Sequence, residues 1–249
     1  HALSRPTRLV VCAHASNICP ATLPLAAIGR LCHAHGALFV VDAAQSAGVL
    51  DINMEEMQID ALAVPGHKGL YGPMGVGMLL LGKGIRPDTL LEGGNGLDSL
   101  SGGMGDDLPE RYEPGTLPLP AIAGLRAGIE FVRRVTPEAI REKETALGVF
   151  LRDALTEVPG VHVAVPHLAG GTVLFRADGV SSEDIAARLD AAGSGICVRP
   201  GFHCAALAHR TLGTPEGGAV RASFGWFNTR RDAEQLIQSL RGGLPGRNG

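Results

Sequence analysis

Apolar residues recur along this chain in two rhythms, short continuous runs and longer segments with helical spacing. Arg8-Leu9-Val10-Val11-Cys12-Ala13 is a β-rich run and predicts a buried strand. From Pro24 to His35 the apolar positions Leu25, Ile28, Leu31 and Cys32 repeat with helical spacing, and Gly36 suits the C-terminal cap. Ala37-Leu38-Phe39-Val40-Val41 predicts the next strand, with Asp42 at its carboxyl end. Ala61-Leu62-Ala63-Val64 predicts a third, which delivers Gly66-His67-Lys68 just beyond its end, and Met78-Leu79-Leu80-Leu81 a fourth after a glycine-rich turn. This alternation predicts an α/β fold with a mostly parallel sheet, and ligands bind outside the carboxyl ends of such strands. Asp42 and Lys68 are therefore expected at one crevice.

Residues Gly84 to Pro118 are rich in Gly, Pro, Asp and Ser, and so extended a loop is usually functional or an interface element. Ile122 to Val135 and Pro137 to Val158 read as two helices, the second leading into a smaller C-terminal α+β domain. That domain is expected to hold strands at Gly171–Phe175 and Ala219–Phe224, with helices at Ser182–Ala192 and Thr229–Leu240. The expected division is a partial large domain over 1–135 and a small domain over 136–249. The chain opens His1-Ala2-Leu3 and enters a strand almost at once, as expected of a fragment. There is no internal repeat and no low-complexity segment.

Composition narrows the class. At 249 residues, 45% hydrophobic and 19% charged, the profile is that of a globular protein with room for one large domain or a large and a small one. A net charge of −3 is too mild to suggest nucleic acid or an anionic membrane as partner. No apolar run reaches bilayer length and no secretory signal is visible. The five cysteines are an odd number without CxxC spacing. They suggest neither a disulfide framework nor a zinc site, and a reducing cytoplasm is the expected setting.

The candidate chemistry sits at the strand ends. Lys68 follows Gly66 and precedes Gly72, Pro73, Gly75 and Gly77, a tight loop that leaves room for a cofactor. Its amine suits a Schiff base with an aldehyde, whereas a lone lysine in a turn is more often a solvated charge. The Asp42 carboxylate can pair with a protonated pyridine nitrogen, as pyridoxal 5′-phosphate (PLP) requires, or simply cap the segment that follows. Gln45 could then hydrogen-bond the ring hydroxyl, and His67 the phosphate, unless His67 packs on the sheet as a turn histidine. Cys204 follows Pro200 and Gly201 with Arg199 and His203 nearby, an electropositive loop that favours thiolate. Cys12 and Cys32 read as buried filler, and Cys197 as packing on a strand. Arg221 lies within an apolar strand, where an unpaired guanidinium is expensive; a substrate carboxylate fits its planar fork.

Taken in order, Ser16-Asn17, Val41-Asp42-Ala43-Ala44-Gln45, Gly66-His67-Lys68-Gly69-Leu70-Tyr71-Gly72-Pro73, Glu113-Pro114-Gly115-Thr116, Arg199-x-Gly-x-His-Cys204 and Val220-Arg221-Ala-Ser-Phe-Gly resemble the cysteine desulfurases. These belong to the class V aminotransferase group of fold-type I PLP enzymes. The short Arg-x-Gly-x-His-Cys loop is similar to the selenocysteine-lyase-like (SufS-type) members. The resemblance implies that Lys68 holds PLP and shuttles the Cα proton, Asp42 pairs with the pyridine nitrogen, Gln45 and Asn17 sit near the ring oxygen, and His67 contacts phosphate. It further implies that Arg221, with Asn17 and Arg199, binds cysteine, and that Cys204 takes its sulfur as a persulfide while alanine leaves. Thr116 would reach the phosphate of a neighbouring subunit in a homodimer, and a sulfur-acceptor protein is implied.

The chain departs from the family pattern at three places. Pro65 stands where a phosphate-donating serine is common, Cys19-Pro20-Ala21 replaces Thr-Gly-Thr, and Pro118 stands where asparagine is common. The resemblance implies that the N-terminal third of the family fold, with the histidine that stacks on PLP, is expected to lie outside these 249 residues. Two other readings therefore remain beside the desulfurase. One is another class V activity, such as selenocysteine lyase or an aminotransferase; the other is an inactive fragment that keeps only an association surface.

Overall fold

Strands β1 (Leu9–Ala13), β2 (Leu38–Asp42), β3 (Ala61–Pro65) and β4 (Gly77–Leu81) form one sheet in the order β1-β2-β3-β4. The computed structural model describes residues 2–96, 103–191, 195–214 and 217–242. β2 and β3 run parallel, with Asp42 opposite Ala63, whereas β3 and β4 are antiparallel. The sheet thus carries an antiparallel strand, β4, beside the parallel pairing the sequence suggests. Residues 66–76 hold no crossover helix, so the chain doubles back on itself.

β1 also corrects its expectation. Leu9 and Val11 are 50% and 63% exposed, because β1 is an edge strand and one face of the sheet is open there. Leu38 and Leu79 are exposed as well, while Phe39 and Val41 are fully buried on the other face of β2. Helix α1 (Leu25–Ala34) buries Leu25, Gly29 and Cys32. It ends as its sequence predicts: Gly36 takes φ +68° and Ala37 N donates to Cys32 O at 3.0 Å. Burial pushes the Cys12 and Cys32 thiols up from their ordinary range, with each thiol's neighbours (Cys32 for Cys12, Asp60 for Cys32) adding to the effect. Both therefore behave as packing groups.

Helix α2 (Leu119–Val135) supports the lysine loop. It buries Leu125, Gly128 and Val132, spaced as one helical face. A Cβ on Gly128 would fall on Leu70 O, so only glycine lets the helix backbone lie against that loop. A Cβ on Gly66 would come within 2.8 Å of Val76 O, and Gly66 N donates to that same oxygen. These elements make up one compact unit of His1–Cys12, Leu25–Ala44 and Ile52–Arg134.

The second unit comprises Ala13–Pro24, Gln45–Asp51 and Val135–Gly249. Its sheet β5-β6-β7 (Val161–Val163, Thr172–Ala177, Val220–Ser223) is antiparallel throughout. Helices α3 (Pro137–Thr156), α4 (Ser182–Ala191), α5 (Ala206–Thr211) and α6 (Arg230–Arg241) complete it. Strand β6 has apolar residues on both faces. Val173, Phe175 and Ala177 join Leu151, Leu155, Ile185, Leu189 and Leu240 in the main core. Leu174, between them, meets Ile18, Val165 and Ala219 in a second cluster. β5 and α5, with three and six residues, are too short for hydrophobic periodicity to reveal. Ala192, expected to end α4, lies outside the described residues.

Thr136 starts α3, its Oγ1 accepting from Ala139 N at 3.2 Å, and Pro137 follows at the first turn. Two turns on, Glu144 is partly buried, and that desolvation pushes its carboxyl up from 4.5 to about 7. Between those values the folded chain holds a proton that the unfolded chain has lost, so stability falls as pH rises through that window. Glu144→Gln is expected to stabilise the protein more at pH 8 than at pH 5. The difference should be about 1–2 kcal/mol, allowing for partial solvation of the carboxyl, and is read from denaturant midpoints.

Candidate active site

In the first unit, Asp42 closes β2 and Lys68 follows β3 by three residues, so both lie at the carboxyl ends of adjacent parallel strands. Both side chains are exposed, as is His67. Asp42 Oδ1 accepts from Ala44 N at 2.7 Å, which leaves its second oxygen for a ligand. The lysine turn is closed by Tyr71 N on Lys68 O (2.9 Å) and Gly72 N on Gly66 O (2.8 Å), with Tyr71 at φ +54°. An exposed primary amine and an exposed carboxylate at one sheet edge fit PLP, which takes an amine at its aldehyde and an acid at its ring nitrogen. Pro65 offers no donor there. Thr116 stands exposed after Gly115, whose N–H donates to Gly94 O at 3.0 Å. Within the long loop, 97–102 lie outside the described residues.

The second unit gathers Asn17, Arg199, Cys204 and Arg221, with Gln45 exposed on another of its segments. Arg221 sits opposite Leu174 in the β6–β7 register, so strand alternation turns it away from the main core and toward the Ile18 cluster. Its Nη1 donates to Asn17 O at 2.6 Å, and Asn17 Nδ2 donates to His203 O at 2.6 Å. Arg199 and Arg221 exchange both backbone hydrogen bonds, at 3.0 and 2.8 Å. Arg221 Nε is buried with no partner, and burial together with Arg199 lowers the pKa of this guanidinium. An unpartnered buried N–H on a cation with a second arginine beside it is suited to an anion.

Cys204 is exposed at the tip of a turn in which His203 and Cys204 take φ +54° and +60°. Consecutive left-handed residues other than glycine are costly and persist where the surroundings over-determine them. The His203 ring is buried, and burial, with the charges of Arg221 and Arg199, outweighs its bond to Arg199 O and lowers its pKa. The positive character of this loop thus belongs to the arginines and not to His203, contrary to the reading from sequence. Cys197 is also corrected: it lies outside any strand and its side chain is exposed.

His209 and Thr214 are drawn into this region without any sequence signal. His209 Nε2 lies 3.0 Å from His203 Nδ1, and Thr214 Oγ1 lies 2.7 Å from His209 Nδ1. No short motif spaces histidines in this way, so only the turn into α5 brings the rings together. Among the described residues no group of three His, Cys, Asp or Glu side chains could hold a metal, and no helix is long and apolar enough to cross a membrane.

The family model of the class V aminotransferases matches residues 1–236. A probable cysteine desulfurase from Methanothermobacter thermautotrophicus is 34% identical over 245 residues, covering 96% of this chain and 61% of that protein. Among solved structures, the apo cysteine desulfurase of Thermococcus onnurineus superposes with a TM-score of 0.83 at 32% identity, over 97% of this chain and 61% of the other. The cysteine desulfurase CsdA of Escherichia coli gives 0.84 at 28% identity, over 94% and 59%. The chain therefore spans about three-fifths of the length of the relatives it matches.

Proposed function

The chain belongs to the class V aminotransferase family of fold-type I PLP-dependent enzymes, and from that footing and its likeness to cysteine desulfurases we propose that its protein converts L-cysteine to L-alanine and carries the sulfur as a persulfide on Cys204. The observation that carries this reading is the Cys204 turn. The exposed thiol follows His203, whose carbonyl is bonded by Asn17, and Asn17 in turn accepts from a guanidinium whose buried Nε lacks a partner.

Lys68 and Asp42 would hold PLP, with Gln45, Asn17 and His67 as further contacts and Thr116 reaching across a homodimer. When bound, PLP supplies an electron sink for bonds at the substrate's α-carbon. Arg221, with Arg199 beside it, takes the substrate carboxylate and orients the amino acid. Lys68, exposed on a hydrogen-bonded turn, takes the Cα proton and returns it. The Cys204 sulfur attacks the substrate sulfur: an S–S bond forms as the S–Cβ bond breaks, the carbon takes up a proton, and alanine leaves. An exposed persulfide can pass its outer sulfur to an acceptor protein. Leu90 and Leu91, 94% and 69% exposed on the loop that also carries Thr116, are the kind of residue a second subunit would cover.

Supplied with PLP and L-cysteine, the protein is expected to form alanine and to carry one added sulfur on Cys204, seen by mass spectrometry. Lys68→Ala should lose both the visible absorbance of bound PLP and alanine formation. Retention of both in that variant would overturn the proposal.

A further inference from the structure

The thiol-bearing turn rests on a buried chain of hydrogen-bonding side chains that the proposed reaction does not use. His203 is 4% exposed and His209 is 1% exposed. Their rings lie 5.2 Å apart and within 15° of parallel, and Phe202 meets His209 edge-on at 5.6 Å. His203 Nε2 is 2.8 Å from Arg199 O. A carbonyl oxygen only accepts, so this nitrogen must carry the proton. In a neutral ring His203 Nδ1 is then bare, and it accepts from His209 Nε2–H across 3.0 Å. His209 Nδ1 is left bare in turn and takes the Thr214 hydroxyl proton at 2.7 Å, in preference to the His209 carbonyl oxygen 3.0 Å from the same hydroxyl. Burial lowers the pKa of both rings, which favours this neutral arrangement, and Arg199 and Arg221 face His203 with like charge.

The consequence reaches Cys204 through the backbone. The His203 ring is anchored at both nitrogens and its carbonyl accepts from Asn17 Nδ2. The residue is thus tied at side chain and main chain, in a left-handed conformation it would not choose alone. Cys204 is the next residue, left-handed and exposed. We propose that His209 is a positioning residue which, acting through His203, holds Cys204 in its exposed conformation. The functional meaning of this inference rests on the reading of Cys204 as the residue that takes the substrate's sulfur.

The test is alkylation of the protein by iodoacetamide, resolved site by site by mass spectrometry. The rate at Cys204 is compared with that at Cys197, an exposed thiol of the same unit outside the chain of bonds. His209→Phe fills the buried volume but removes the Nε2–H, whereas His209→Gln keeps an N–H near the same place. His209→Phe is expected to lower the Cys204-to-Cys197 ratio by about tenfold, the effect of losing one buried hydrogen-bond partner, and His209→Gln to restore it to within about twofold. A ratio unchanged by His209→Phe, or lowered equally by both variants, overturns the proposal. Should His209→Phe fail to fold, nitrogen-15 spectra of the wild-type histidines decide. Both rings are expected neutral with the proton on Nε2, and an Nδ1 proton on either ring overturns the chain. These readouts need neither PLP nor cysteine. Absence of alanine formation with the expected alkylation pattern would therefore overturn the proposed function alone.

Discussion

Replacing Cys204 with serine is expected to slow alanine release from L-cysteine by about a thousandfold or more, while leaving the KM for cysteine within a few-fold of the parent. The side chain is exposed, so the change opens no cavity and removes no core contact. The melting temperature should stay the same. What is lost is the attacking sulfur: a hydroxyl at the same turn is a far weaker nucleophile toward a sulfur atom and cannot store a persulfide. Because the substrate carboxylate is assigned to Arg221, binding should survive. Alanine formation measured under single-turnover conditions checks the prediction. Release at the parental rate would remove Cys204 from the reaction.

The Arg221→Met substitution is expected to act in the opposite place. The kcat/KM for cysteine should fall by about a hundredfold, chiefly through KM, as expected for loss of charge-assisted hydrogen bonds worth about 2–3 kcal/mol. Stability should hold or rise. Arg221 Nε is buried without a partner, and its charge is disfavoured first by burial and then by Arg199. Methionine replaces the buried stem with apolar volume and removes an uncompensated cation, a change that is commonly neutral or stabilising. The bond from Nη1 to Asn17 O is lost at the same time, which limits the gain. Calorimetry beside steady-state kinetics separates the two roles. A lower melting temperature with unchanged KM would make Arg221 a structural residue, whereas a raised KM with an unchanged or higher melting temperature identifies a binding one.

Much of the fold is legible in the sequence where the pattern is long and the chemistry local. The helical spacing from Leu25 to Cys32 with Gly36 behind it, and the apolar runs before Asp42 and Lys68, translate directly into α1, β2 and β3. The direction of β4 does not, since an apolar run carries no sign of which way it pairs; that follows from the short connection over 66–76. The openness of β1 is hidden for a similar reason. Leu9 and Val11 look the same in sequence whether or not a neighbour covers them.

Residue identities along the chain determined the elements, the amine and acid at the strand ends, and the late cysteine, because each depends on neighbours a few positions away. Tertiary structure alone decided which partners those groups have. Asn17 bridges Arg221 to His203 across 204 and 186 positions of chain, and His209 reaches back under the Cys204 turn. Hydrogen bonds act over about 3 Å in space whatever the separation along the chain. The charge state of a histidine, or the isolation of an arginine's Nε, is therefore set by packing that no local pattern encodes.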